Sequence, residues 1–151
     1  MDEDEIYTIE LNKEQLKIIS DCLEMSSRMI IGQLRVSNIY PMQDIIYKNS
    51  LYKKREEVEF HLEEIKKILF PELHRNESYG IGKIEEADYL YEMYKEINHL
   101  LQKEREENEG ASTNVHSSIP LKLTNKPLIV VKNSFELTRN NRINNLLDNE
   151  D

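Results

Sequence analysis

Cysteine is almost absent from this chain. Cys22 stands alone, so no intrachain disulfide forms and a reducing cytoplasm is the expected compartment. Long apolar runs are missing too: none approaches the ~20 residues that a membrane-spanning helix needs. Positive charge is in deficit, with 20 Lys and Arg against 29 Asp and Glu and a formal charge of −9. That balance argues against tracking along a nucleic-acid backbone. A small anion stays within reach, because one or two well-placed arginines and backbone N–H groups hold a phosphate inside an acidic protein. The opening Met1-Asp2-Glu3-Asp4-Glu5 lacks the basic and apolar regions of a signal peptide. Phosphate-binding loops and dinucleotide fingerprints are lacking, and Gly80-x-Gly82 is too short a pattern to stand in for one. What remains is an ordinary hydrophobic fraction of 38% and a high charged fraction of 32%, over 151 residues. Those values suit one soluble helical domain with a real core.

Residues 6–11, Ile-Tyr-Thr-Ile-Glu-Leu, alternate with period two and carry β-branched and aromatic side chains, which predicts a short strand. Asn12 followed by Gln15 is a capping-box pattern that starts a first helix near Lys13. This helix is expected to reach about Asn38 and to stop before Tyr40-Pro41. Its seam is Leu16, Ile19, Leu23, Ile30 and Leu34. A helical turn at Asp44–Tyr47 precedes a second helix over 50–69, with Leu51, Val58, Leu62, Ile65 and Leu69 as its seam and Pro71 past its end. A loop over 70–84 leads to a third helix from Glu85 to about Glu106, striped by Ala87, Leu90, Tyr94, Ile97 and Leu101.

The charged run Lys103–Glu109 gives way to a flexible linker, Gly110–Ser118. Ile119–Leu123 and Leu128–Val131 are candidate strands, confined by Pro120 and Pro127 to edge or extended segments. The Asn-rich, charged tail reads as disordered. The fold expected is mainly α with a small β component, a long-helix bundle flanked by short strands. A single ligand-binding domain covers 1–131, and the tail covers 132–151. Long clean seams with few companions are often completed by a second copy, so a homo-oligomer is expected, with a monomeric bundle as the alternative.

Ser26-Ser27-Arg28-Met29-Ile30-Ile31-Gly32-Gln33 interrupts the first seam with polar residues and a glycine. Gly inside a helix costs roughly 1 kcal/mol relative to Ala, which implies either close approach of a neighbouring backbone or a bound ligand. Arg28 and Gln33 add donors to the same surface. The loop Arg75-Asn76-Glu77-Ser78-Tyr79-Gly80-Ile81 is a second such place. An aromatic beside a glycine offers a flat stacking surface, while Arg75, Asn76 and Ser78 suit a nucleobase edge or a phosphate. A turn whose Tyr79 only packs on the helices is the plainer alternative. Tyr89, Tyr91 and Tyr94 are placed to wall the same cavity, with Tyr94 also suited to the core. Asp88, near the start of the third helix, is counted with the ligand-binding candidates.

Catalytic chemistry has less behind it. Cys22 has no nearby His in sequence and reads as a buried, inert thiol. His61, His74, His99 and His116 lack the paired spacing of metal ligands. Glu56, Glu57 and Glu59, with Glu85 and Asp88 one helix later, resemble the carboxylate sets by which all-helical nucleotide pyrophosphohydrolases hold magnesium. Phe60 stands where the third carboxylate belongs, and a solvated charged face explains the pattern better. No catalytic residue, metal or cofactor is assigned.

Taken together, Tyr7-Thr8-Ile9-Glu10-Leu11, Ser27-Arg28-x-x-Ile31-Gly32-Gln33, Ser78-Tyr79-Gly80-Ile81 and Ala87-x-x-x-Tyr91-x-x-Tyr94 resemble the phage Thoeris anti-defence proteins of the first-described type. The resemblance covers most of residues 6–131, with Pro120 and Lys126-Pro127-Leu128 included. It implies a stoichiometric binder in the host cytoplasm rather than an enzyme. Such an oligomer sequesters glycocyclic ADP-ribose, a TIR-derived signal, without degrading it, and some members also hold cyclic oligonucleotides at a separate site. An aromatic stacks on the adenine while arginines and an asparagine hold ribose and phosphates.

On that pattern Tyr79 is the stacking aromatic, replacing a Phe. Arg28 is the arginine of the serine-arginine helix motif, with the cyclic-oligonucleotide site as one place for it. Asn98 and His99 stand where the family has an Arg-His pair. One cation is therefore missing, and Arg75 or Arg105 is its substitute. The partners implied are the small cyclic nucleotide and the chain itself, with neither nucleic acid nor a membrane. Two other readings stay open: an all-helical pyrophosphohydrolase-like enzyme, and a helical phage inhibitor of a host protein in which Tyr79 is structural.

Overall fold

The computed structural model describes residues 8–109, 121–127 and 129–131. Within them the chain is mainly helical. In order come α1 (Lys13–Ile30), a 3-10 turn (Val36–Asn38), α2 (Tyr40–Lys48), a second 3-10 turn (Tyr52–Lys54), α3 (Arg55–Leu69) and α4 (Glu85–Glu109). The capping box at the head of α1 is complete. The Asn12 side chain accepts the Gln15 N–H, and the Gln15 side chain accepts the Asn12 N–H, both at 2.9 Å.

α1 ends at Ile30, well short of Asn38, and Gly32 is the cause. Its φ is +82°, its N–H donates to the Met29 carbonyl at 3.0 Å, and the Gln33 N–H donates to the Arg28 carbonyl at 2.9 Å. Those two bonds are the left-handed Schellman stop, which favours glycine because no Cβ opposes the backbone. Gly32 is a terminator and not an interior cost. Tyr40-Pro41, expected to close a helix, instead opens α2. Pro41 sits in the first turn, where its missing N–H has no helical partner to lose. The turn foreseen at Asp44–Tyr47 is thus part of a nine-residue helix. Ser50, at φ +54°, then breaks the chain, and α3 begins at Arg55 rather than near residue 50.

No strand forms among the described residues. Residues 8–11, 121–123 and 129–131 are irregular, and Ile9 and Leu11 are exposed. A strand needs a partner's ladder of N–H and C=O groups. Here the amides of Leu123 and Thr124 donate to the side chain of Glu92 instead. Residues 6–7, 119–120 and 128, the linker Gly110–Ser118 and the tail over 132–151 lie outside the described residues.

Two packing zones hold the helices. Along α1 and α4, Ser27 Oγ donates to the Ala87 carbonyl at 2.9 Å, and both residues are buried. Ser20, two turns earlier on the same face of α1, is buried as well. Small residues let the backbones approach, so the inward positions of α1 are Ser20 and Ser27, while Ile19 of the expected seam is exposed. The second zone joins Val36, Ile39, Ile46 and Leu62, with Met25, Met42 and Val58 packed around them. Each such side chain contributes about 1.5–3 kcal/mol on burial. From the expected seam of α3 only Leu62 is buried, whereas Leu51, Ile65 and Leu69 are exposed. Lys66 takes the next inward position.

Candidate functional site

The stop at Gly32 reverses the chain so that Arg28, the third residue from the end of α1, meets Gln33 just beyond it. In a Schellman turn these two positions commonly make an apolar contact. Here Arg28 NH1 donates to Gln33 Oε1 at 2.9 Å. Gln33 Nε2 in turn donates to Ser78 Oγ at 3.2 Å, and the Tyr79 N–H donates to the Ile31 carbonyl at 2.9 Å. Leu73 seals the junction, since a Cβ on Gly32 would come within 2.8 Å of its Cδ1. The two sequence segments singled out for ligand-type residues are therefore one joined structure.

Between them lies a cleft of about 520 Å³, a volume suited to a small ligand. Arg28, Gln33, Arg75 and Asn76 all line it, four of the residues expected from sequence. α3 supplies the floor that orders the loop. Lys66, only 5% exposed, donates through Nζ to the Arg75 carbonyl at 3.2 Å and to the Glu77 carbonyl. Burial, followed by the Arg35 charge, pushes the Lys66 pKa down against the opposing pull of Glu77 and Glu63.

The charges around the cleft are largely matched. Arg28 is bound by Glu24, with Nε and NH2 at 3.0 and 2.7 Å from Oε1. Arg75 is ion-paired with Glu63. Glu59 accepts the Val36 N–H at 3.2 Å, and Glu77 accepts the His74 N–H at 3.0 Å. Arg35 NH2 donates to Asn76 Oδ1 at 3.0 Å. The lining thus carries the cations Arg28, Arg35, Lys66 and Arg75 against the carboxylates Glu59, Glu63 and Glu77. With Glu24 on Arg28 counted, four cations face four carboxylates, so the cleft is balanced in a chain that is otherwise acidic.

The sequence reading missed Arg35 and Lys66. Lys66 was detectable as a charged residue one turn after Leu62 on an apolar face. Arg35 follows the helix stop without any periodic signal.

Four other candidates lie outside this lining. The Tyr79 ring is half-buried and meets Phe70 edge-on, with centroids 6.2 Å apart. Asp88 is buried and accepts the Gly82 N–H at 2.8 Å, which shapes the turn before α4, where Gly82 has φ +80°. Asn98 and His99 are half-buried on α4. The Arg105 side chain lies outside the described residues.

Tyr91 and Tyr94 form a pair at 5.5 Å with the Lys95 ammonium beside both rings, and neither lines the cleft. Burial, reinforced by the Glu24 carboxylate, pushes the Tyr94 hydroxyl up to about 12. Cys22 is exposed rather than buried, because it faces away from the Ser20 and Ser27 side of α1.

Of the acidic set, Glu57 pairs with Lys54 at 2.6 Å, and Glu56 and Glu85 are exposed. Among the described residues no group of three or more His, Cys, Asp or Glu is placed to hold a metal ion, and no helix is long and apolar enough to cross a membrane. No protein-family model, curated protein or solved structure matches the chain.

Proposed function

We propose that this protein is a phage anti-defence sponge. It captures a TIR-derived cyclic ADP-ribose signal, glycocyclic ADP-ribose, in the host cytoplasm without degrading it, and so blocks Thoeris-type immunity. Cyclic oligonucleotides are a further class of ligand within the same reading. The observation that carries it is the meeting of Arg28, Gln33, Arg75 and Asn76 in one cleft, from segments more than 40 residues apart. These are donors for phosphate, ribose and base edges, held by hydrogen bonds before any ligand arrives. Preorganisation of that kind favours affinity, and a titrating binder needs slow release more than turnover.

The working unit in this reading is a homo-oligomer. Ile45, Tyr47, Tyr52, Phe60, Ile68 and Leu69 expose apolar surface on α2, the second 3-10 turn and α3, and a second copy of the chain would cover it.

The deciding experiment incubates the protein with the TIR product, removes free ligand, denatures the protein by heat and identifies what is released. Recovery of the intact cyclic molecule supports capture. Recovery of breakdown products moves the assignment to a pyrophosphohydrolase-like enzyme. Retention of nothing leaves inhibition of a host protein.

A further inference from the structure

Among the cations of the cleft, Arg35 alone lacks a protein group that answers its charge. Arg28 is held by Glu24, Arg75 by Glu63, and Lys66 is consumed by two backbone carbonyls. Arg35 has no carboxylate within ion-pair reach among the described residues, and the one hydrogen bond of its guanidinium goes to Asn76 Oδ1. That bond crosses from the head of the first 3-10 turn to the loop after α3, 41 residues away in sequence. An arginine held across a cleft by a neutral amide is unlike one solvated on a helix face.

Building on the cleft as the ligand site, we infer that Arg35 and Asn76 form its phosphate-holding subsite, taking one phosphoryl group of a nucleotide pyrophosphate or phosphodiester. With Oδ1 committed to Arg35, the amide of Asn76 presents its Nδ2 hydrogens beside the remaining guanidinium N–H groups. Among the described residues, no protein acceptor takes up these N–H groups. A phosphoryl group is their complement, being all acceptor and negatively charged. Of the carboxylates in the lining, Glu63 is ion-paired with Arg75, while Glu59 and Glu77 each accept a backbone N–H, from Val36 and His74. The charge of Arg35 also bears on the buried ammonium of Lys66, and an anion beside the pair relieves that repulsion.

The test is calorimetry on the full chain with two separate probes, cyclic ADP-ribose and inorganic pyrophosphate. Arg35→Gln is expected to weaken both about 10- to 100-fold, the range of a lost charge-assisted hydrogen bond. Arg35→Lys keeps the charge without the fork and recovers part of that loss. Because Arg35 is exposed, its variants should melt with the wild type. Asn76→Asp is a second route: it preserves the partner of Arg35 while placing a carboxylate against the anion, and should abolish both titrations.

Unchanged affinity for both probes in Arg35→Gln, or no wild-type binding of either, overturns the subsite. If the wild type takes cyclic ADP-ribose and Arg35→Gln takes it equally well, the sponge stands and the subsite falls. Arg35-dependent binding of pyrophosphate alone keeps the subsite and removes the cyclic nucleotide.

Discussion

Single residues set the shape of the site, and Gly32 does so most directly. Its positive φ ends α1 and turns Gln33 back onto Arg28. A Cβ there meets both an unfavourable backbone region and Leu73. Gly32→Ala is expected to cost about 1–2 kcal/mol of stability, read as a lower urea midpoint with an unchanged slope. Tyr79 lies beside the cleft and not in its lining. Its backbone closes the junction on Ile31 and its ring rests on Phe70, outside the cleft lining. Tyr79→Ala should therefore lower the melting temperature, through loss of a ring contact worth about 0.5–1.5 kcal/mol, and leave ligand affinity near the wild-type value. A large loss of affinity with unchanged melting would return Tyr79 to the site.

At the scale of elements, α4 does two jobs. One face packs on α1 through Ser27 and Ala87, and Glu92 clasps the segment over 121–127. Glu92 is fully buried, and its carboxylate accepts from the Leu123 and Thr124 amides, from Thr124 Oγ1 at 2.8 Å and from Lys122 Nζ at 3.4 Å. Tyr89 adds a bond from its hydroxyl to the Pro127 carbonyl at 3.3 Å, and the Lys126 ammonium lies over its ring. Burial alone would raise the Glu92 pKa, but these donors outweigh it and hold the carboxyl below its ordinary 4.5.

A folded value depressed below the unfolded one means the clasp contributes fully above about pH 4.5 and fades as pH falls through the folded value. Glu92→Gln puts an N–H where acceptors are required. It should cost about 1–3 kcal/mol at neutral pH and speed amide exchange at Leu123 and Thr124. The same variant should flatten the acid limb of the stability curve. Exchange at those two amides matching the wild type would show that the clasp is not what holds the segment.

At the scale of the whole molecule, the interior formed by the described residues is small for their helix content. Its apolar cluster gathers around the first 3-10 turn, α2 and Leu62, while α3 turns Ile65, Ile68 and Leu69 to solvent. Ile68 is 78% exposed, so Ile68→Glu should leave the fold of one chain intact. If a second copy covers this face, the substitution should shift the mass measured by light scattering toward that of a monomer. An oligomer of unchanged mass would place the interface elsewhere, and a monomeric wild type would remove it.

Much of this architecture was readable from short-range chemistry. The Asn12 cap, the start of α4 at Glu85, the lone cysteine and the acidic balance all act within a few residues or by composition, so the linear order of side chains suffices to place them. Arg28, Gln33, Arg75 and Asn76 could be singled out in the same way, as donors in settings where packing alone would choose otherwise. Their union in one cleft could not. It depends on Gly32 closing a helix rather than sitting inside one, and on bonds such as Gln33 to Ser78 that span 45 residues.

Among the described residues the expected strands do not form, for the same reason. Whether an extended segment finds a ladder or a buried carboxylate depends on what stands beside it after folding. At Leu123 and Thr124 that neighbour is Glu92. Local propensity chooses among backbone states at modest cost, whereas the partner of each polar group is chosen by long-range packing, and in this protein the cleft is made of such partners.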